Sequence, residues 1–358
     1  MKRHLSKLAP GTIASSALFA EQSTLFVSVL KWSILAGITG VIVGAVTSFF
    51  LYLLGGFTGL GDRITHGHAY LLLPAMIPIV VLIIRKLAPI IEGYGTEKVI
   101  EAVHARDGAT DIKVVPVKLF ATLLTLGAGG SVGKEGPAAQ IGVGLDYSLA
   151  KIIQLNRADT KRLVICGISA GFAAVFGTPI SGAEVLYLGL LKYDVMFLCL
   201  VAGVVAHAVC RAGHSVPAKL AIPAVITKSH TESVIIALAS GVFFGLVELV
   251  LIQMLKYAEE LRKKLKLSPE FSGLLGGLAL MVIFGLSPQS AGLSTSLLGT
   301  IFTGGQVPSF SAWWKIVATS VTLGFGGSGG IITPLFVVGA TSGFALAHLS
   351  GRSVFVAG

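Results

Sequence analysis

The chain has 358 residues and a formal net charge of +10, with 54% hydrophobic and only 12% charged residues. A soluble domain carries about twice that charged share, so the composition excludes a water-soluble globular fold. The basic excess gathers at the edges of apolar runs (MKRHLSK at the start, Arg85 and Lys86, KYAEELRKKLK at 256–266), a pattern of cytoplasmic loops and not of a nucleic-acid surface.

In chain order, residues 8–27 predict an interfacial helix before the first span, and 1–30 form an N-terminal segment. The basic start is not followed by a compact apolar core and a small-residue cleavage site, so no removable signal peptide is expected. Apolar runs follow at 33–54 (SILAGITGVIVGAVTSFFLYLL), 69–84, 197–209, 233–255 and 273–286. Roughly ten such segments can be counted, several shorter than the ~20 residues of a perpendicular span. Their Gly and Pro interruptions predict tilted or discontinuous helices in an all-α, multi-pass membrane protein. Cys166, Cys199 and Cys210 lie in apolar surroundings without CxxC spacing, which predicts buried thiols, no disulfide and no metal site. The eight histidines are scattered, and His104, His207 and His348 have no catalytic partner nearby. No enzyme is expected.

The chain contains a repeat. Shifted by 197 positions, KLFATLLTLGAGGSVGKEGP (118–137) lies without a gap on KIVATSVTLGFGGSGGIITP (315–334), with eleven of twenty positions identical. The span GITGVIVGAVTSFFLYLL resembles ALASGVFFGLVELVLIQML at a similar distance before each copy. This divides the chain into a first membrane repeat (31–212), a polar linker (213–232) and a second repeat (233–358). Duplicated halves with matched broken helices place a site at their interface, and an odd number of spans per half would invert them. About 75 residues separate Pro137 from Gly213, whereas 24 follow Pro334; the counterpart of 160–212 is missing, so the chain is expected to be cut short.

The stretch GGSVGKEGP (129–137) sets a lysine and a glutamate among glycines between two apolar segments. Glycines let backbone amides approach an ion, and a proline in the first helical turn sacrifices no hydrogen bond. A helix opening here offers unpaired N–H groups and the positive end of its dipole, a ready anion site. The copy GGSGGIITP supplies a second such start, with Ile331 and Ile332 in place of Lys134 and Glu135. Amides rather than full charges would hold the anion weakly enough to release it. Glu135 competes with the anion for those amides unless protonated, which makes it the candidate gate; the alternative is a cap on its own helix dipole. Lys134 either contributes charge to the anion or reaches for the interface. A P-loop would need glycine at Ala128 and Ser or Thr at Glu135, so a nucleotide site is excluded.

The segments GKEGPAAQIG (133–142), GISAGFAAVFGTPISG (167–182) and GGIITPLFVVGA (329–340) resemble the CLC chloride channels and proton-coupled chloride transporters over about residues 30–358. The resemblance implies a CLC-type fold of two inverted helical halves with broken helices meeting at the midplane. It also implies a homodimer in the plasma or inner membrane, with chloride as ligand and no cofactor. Glu135 takes the position of the gating glutamate. Gly133, Lys134, Gly136, Ile331 and Ile332 line the anion site. The family's GSGIP loop reads GYGTEKVIEA (93–102), so Tyr94 replaces the serine that contacts the anion; it shifts anion preference, occludes the path, or sits at an interface. The internal proton glutamate aligns with Gly189 or, one helical turn shorter, with Val185 beside Glu184, and neither Gly189 nor Val185 carries a proton. The family's terminal tyrosine lies past Gly358. The function expected is transport of chloride or similar small anions through a pore formed by helix N-termini and gated by Glu135, uncoupled or weakly coupled to protons because neither Gly189 nor Val185 titrates; proton-coupled chloride or fluoride exchange and a truncated chain without transport are the alternatives.

Overall fold

The computed structural model describes residues 10–93, 95–180, 193–213 and 230–349. Tyr94, Glu184, Val185 and Gly189 lie outside the described residues. Among the described residues twelve α-helices follow one another: α1 (Pro10–Ile64), α2 (Leu73–Leu87), α3 (Gly95–Ala105), α4 (Val114–Gly127), α5 (Glu135–Ile152), α6 (Arg157–Phe176), α7 (Tyr193–Ala212), α8 (His230–Lys264), α9 (Pro269–Leu286), α10 (Thr295–Phe302), α11 (Ser311–Gly324) and α12 (Ile332–Leu349). Five stretches among the described residues are long and apolar enough to cross a bilayer, while α4 and most of α12 are shorter apolar helices. The expected interfacial element at 8–27 is not separate: α1 runs unbroken for 55 residues, and its apolar span begins at Phe26. The linker is bounded by the turn at Gly213 and the start of α8 at His230; residues 214–229 between them lie outside the described residues.

Local chemistry sets several helix ends. The Asn156 side chain accepts from the Asp159 N–H at 2.9 Å and opens α6, which ends at Gly177 in a left-handed conformation, φ 71°. Ser268 accepts from the Phe271 N–H at 3.2 Å to open α9, with Pro269 at its first position.

Without a strong hydrophobic drive in lipid, close packing of small residues holds the helices together. A Cβ added at Gly40 of α1 would stand 2.6 Å from the Ala202 carbonyl oxygen of α7, and one added at Gly171 of α6 would stand 2.5 Å from that of Ala138 in α5. Gly142 and Gly167 press backbone to backbone in the same α5–α6 seam. A buried cluster that includes Val43, Val143, Phe172 and Ala202 joins α1, α5, α6 and α7.

The duplication is visible in the architecture. Helices α4 and α11, and again α5 and α12, start and stop 197 residues apart. Each pair is joined by a short segment turning back toward the middle of the molecule. One face collects the basic ends of helices: Arg106 borders one cavity with Lys151 and Arg157 and another with Arg262 and Lys263. By the positive-inside rule this is the cytoplasmic face.

Candidate anion site

The site is built where the two returning segments meet. After α4 the chain turns through Gly129 (φ 79°), and after α11 through Gly326 (φ 101°), conformations that glycine adopts without steric penalty. The segments then form a two-residue antiparallel bridge: the Gly133 N–H donates to the Gly330 carbonyl at 2.7 Å, and the Gly330 N–H donates to the Gly133 carbonyl at 2.7 Å.

Reciprocal side-chain bonds flank the bridge. The Ser328 N–H donates to Thr125 Oγ1 at 3.0 Å, and the Ser131 N–H to Thr322 Oγ1 at 3.2 Å. The two threonine hydroxyls donate in turn to the carbonyls of Ala121 and Ala318 one helical turn back, at 2.9 and 2.7 Å. Thr122 and Ser328 pair through their hydroxyls at 3.2 Å, as do Ser131 and Thr319 at 3.0 Å. Every one of these residues has its partner 197 positions away doing the same task in the other half. Buried backbone polar groups that no helix satisfies are thus satisfied across the halves.

Three helix starts converge beside the bridge. Glu135 opens α5, and Ile332 opens α12 directly after Ile331. Gly95 opens α3 so close to Gly136 that an added Cβ would stand 2.7 Å from the Gly136 carbonyl carbon. First-turn N–H groups have no intrahelical carbonyl, and the dipoles of all three helices place positive ends here.

Glu135 occupies the middle of this arrangement. Its side chain is 1% exposed, and its Oε1 accepts a hydrogen bond from the Thr333 hydroxyl of the opposite half. Its Oε2 has no hydrogen-bond partner among the described residues and lies 2.5 Å from where a Cβ on Gly133 would be. A methyl group at residue 133 would therefore collide with the carboxylate, so glycine is required for this placement.

The structure brings Gly133, Lys134, Glu135, Gly136, Ile331 and Ile332 together and corrects the expectation for Gly133. Its amide is committed to Gly330 and cannot donate to an anion; what Gly133 contributes is room. Lys134 is half-buried at the N-cap of α5 and makes no capping hydrogen bond. Ile331 and Ile332 are half-buried at the opposite helix start. Thr333 was not anticipated. It bonds Glu135 only across the two halves, so no local pattern announces it, although the 197-residue shift sets it opposite Gly136. Lys118 was also passed over, as a repeat identity, although a lysine inside an apolar helix is itself a functional signal.

Helix starts converging on a buried carboxylate within a multi-pass bundle define a membrane protein for anion transport. The chain belongs to the voltage gated chloride channel (CLC) family, which it matches over residues 76–355. It is 34% identical over 340 residues, 92% of this chain and 74% of the relative, to a chloride/fluoride channel protein of Pseudomonas syringae pv. tomato. It is 25% identical to the H(+)/Cl(-) exchange transporter ClcA of Vibrio cholerae over 89% of this chain and 72% of that one. Among solved structures it superimposes on a CLC-type fluoride/proton antiporter with a TM-score of 0.82 and 26% identity, covering 92% of this chain and 84% of that one. A slow cyanobacterial Cl-/H+ antiporter shares the fold, with a TM-score of 0.75 at 19% identity.

Proposed function

We propose that this chain exchanges a small monovalent anion for protons, with Glu135 as the moving group and fluoride as the favoured anion. The observation that carries the reading is the seat of the Glu135 carboxylate among the starts of α3, α5 and α12, held by the Thr333 hydroxyl. An ionised carboxylate there occupies the positive potential of the helix starts that an anion needs. Protonation removes its charge, weakens its attraction to the seat and lets an anion take its place. Carboxylate and anion therefore alternate, and each exchange moves a proton one way and an anion the other. Gly136, Ile331 and Ile332 supply the backbone of the seat, Lys134 lends positive charge, and Tyr94 directly precedes α3 in the sequence. The preference for fluoride draws on the Pseudomonas relative and the fluoride/proton antiporter, together with Tyr94 in place of the anion-contacting serine.

Purified protein in liposomes tests this with fluoride and proton electrodes. An outward fluoride gradient should drive protons inward against their own gradient. Glu135→Gln should keep anion flux, lose its pH dependence and abolish proton movement. Fluoride flux without proton movement in the unaltered protein would favour a passive pore instead, a reading supported by the absence of a titratable side chain at Gly189 and Val185. No anion flux would overturn both readings.

A further inference from the structure

A cavity of about 750 Å³ opens on the basic face between the end of α5 and the start of α6, bordered by Arg106, Asp107, Tyr147, Lys151, Gln154 and Arg157. The chain is tied down around it. The Leu155 N–H donates to the Ala150 carbonyl at 3.0 Å, and Gln154 takes a left-handed φ of 55° where α5 ends. Lys151 stands over the Tyr147 ring, its Nζ 4.6 Å from the centroid. Such a contact holds an ammonium in place and leaves its hydrogen-bond donors unspent. The acids nearby are already matched. Asp107 lies 3.8 Å from Lys161, Asp159 accepts from Arg162 at 3.3 Å and from the Asn156 amide at 2.9 Å, and Glu101 accepts from Lys98 and Arg106. Lys151 and Arg157, both exposed, have no carboxylate within ion-pair distance among the described residues, so they are surplus positive charge.

Trp32 fixes the depth. The first apolar span begins at Phe26, and Arg162 of α6 stands 5.9 Å from the Trp32 ring centroid. Tryptophan is enriched where hydrocarbon meets headgroups. Arg157 precedes Arg162 by five residues, so at 1.5 Å per residue it lies at most about 8 Å further out. A headgroup layer is about 5–8 Å thick, which puts the cavity within it. Directly after Lys151, Ile152 is 78% and Ile153 40% exposed, side chains that favour acyl chains over water. Surplus bases and an apolar lip thus share one cleft at headgroup depth.

We propose that this cavity binds the headgroup of an anionic phospholipid of the cytoplasmic leaflet, with the phosphodiester between Lys151 and Arg157 and the acyl chains along Ile152 and Ile153. Its volume is that of a small-molecule pocket, and basic pockets between spans on this side of a membrane hold anionic headgroups. A free anion would use the two bases and leave both isoleucines in water; a lipid satisfies all four. The lipid anchors the cytoplasmic end of α5, the helix that opens at Glu135.

Native mass spectrometry of the full chain in detergent, titrated with phosphatidylglycerol or phosphatidylcholine, reads the bound lipid directly. The unaltered protein should hold phosphatidylglycerol at least about tenfold more tightly than the zwitterionic lipid. Lys151→Gln combined with Arg157→Gln should weaken phosphatidylglycerol about thirtyfold, the effect of two lost basic contacts to an anionic headgroup. Lys264→Gln combined with Lys266→Gln removes the same charge beside Lys263, outside the cavity, and should leave binding unchanged. Equal binding of the two lipids by the unaltered protein overturns the proposal. So does an equal loss in the two double variants, which would mean general surface charge. Displacement of phosphatidylglycerol by an equal concentration of inorganic phosphate would assign the cavity to a free anion and overturn it as well. The four substituted residues are exposed, and the comparison of lipids needs no variant, so misfolding does not shelter the proposal. Lipid retention is read without transport, and its failure leaves the exchange reading to its own assay.

Discussion

Thr333 and Glu135 belong to different halves, and the hydroxyl of one donates to the carboxylate of the other. A hydrogen bond to a charged group contributes about 1.5–3 kcal/mol net, so Thr333→Val should reduce the fraction of time the carboxylate is seated by about ten- to a hundredfold. Anion flux at neutral pH should rise and its pH dependence flatten, while a serine at the same position restores both. An unchanged pH profile in Thr333→Val would show that the hydroxyl does not hold the gate. At this scale the site was legible wherever charge and context disagreed: Glu135 stands out because an ionisable group in an apolar segment is energetically expensive. Thr333 and the commitment of the Gly133 amide to Gly330 were not legible. Both depend on contacts nearly 200 residues apart, which no local pattern encodes.

The central helices are tied by hydroxyls that serve as backbone acceptors. Thr125→Val would leave the Ser328 N–H without its acceptor, and Thr322→Val would do the same to Ser131. An unsatisfied buried donor costs about 1–3 kcal/mol, and the repeat makes the two losses alike. Both variants should melt at similarly lowered temperatures in detergent, with serine replacements close to the unaltered protein. A valine variant that melts normally would mean that Ser328 or Ser131 finds another acceptor. The identity of α4 with α11, down to matching ends, was legible because Lys, Thr, Gly and Ser recur at fixed spacing from 118 to 137 and from 315 to 334. The continuity of α1 was not. The expected boundary between an interfacial helix at 8–27 and the first span is absent, since the polar residues EQST at 21–24 belong to the same helix, whose apolar span begins only at Phe26. A polar stretch ends a membrane span without ending a helix, because in water nothing forbids the backbone from continuing.

Over the whole molecule, Arg106, Lys151, Arg157, Arg262 and Lys263 share one face, and the turn at 65–68 that follows Arg63 and joins α1 to the return through α2 lies on the other. Cys166, Cys199 and Cys210 are free and buried, so an impermeant maleimide should find little background. Lys263→Cys should react from the cytoplasmic side only and His66→Cys from the opposite side only. Labelling of both from one side would refute this orientation. The reciprocal Gly133–Gly330 pair lies where the axis relating the two halves must pass, because each glycine is the other's counterpart. Points on an axis stay still when the bodies around it turn. A twist of one half against the other would carry the periphery far and leave both bonds intact, whereas a sliding motion would break the two together. The anion seat thus stands at a fulcrum, the part of a lever that travels least. A protein pivoted there gains little at its own centre from moving its halves, so the proposed opening and shutting of the seat falls to one side chain, Glu135, on a fixed bearing.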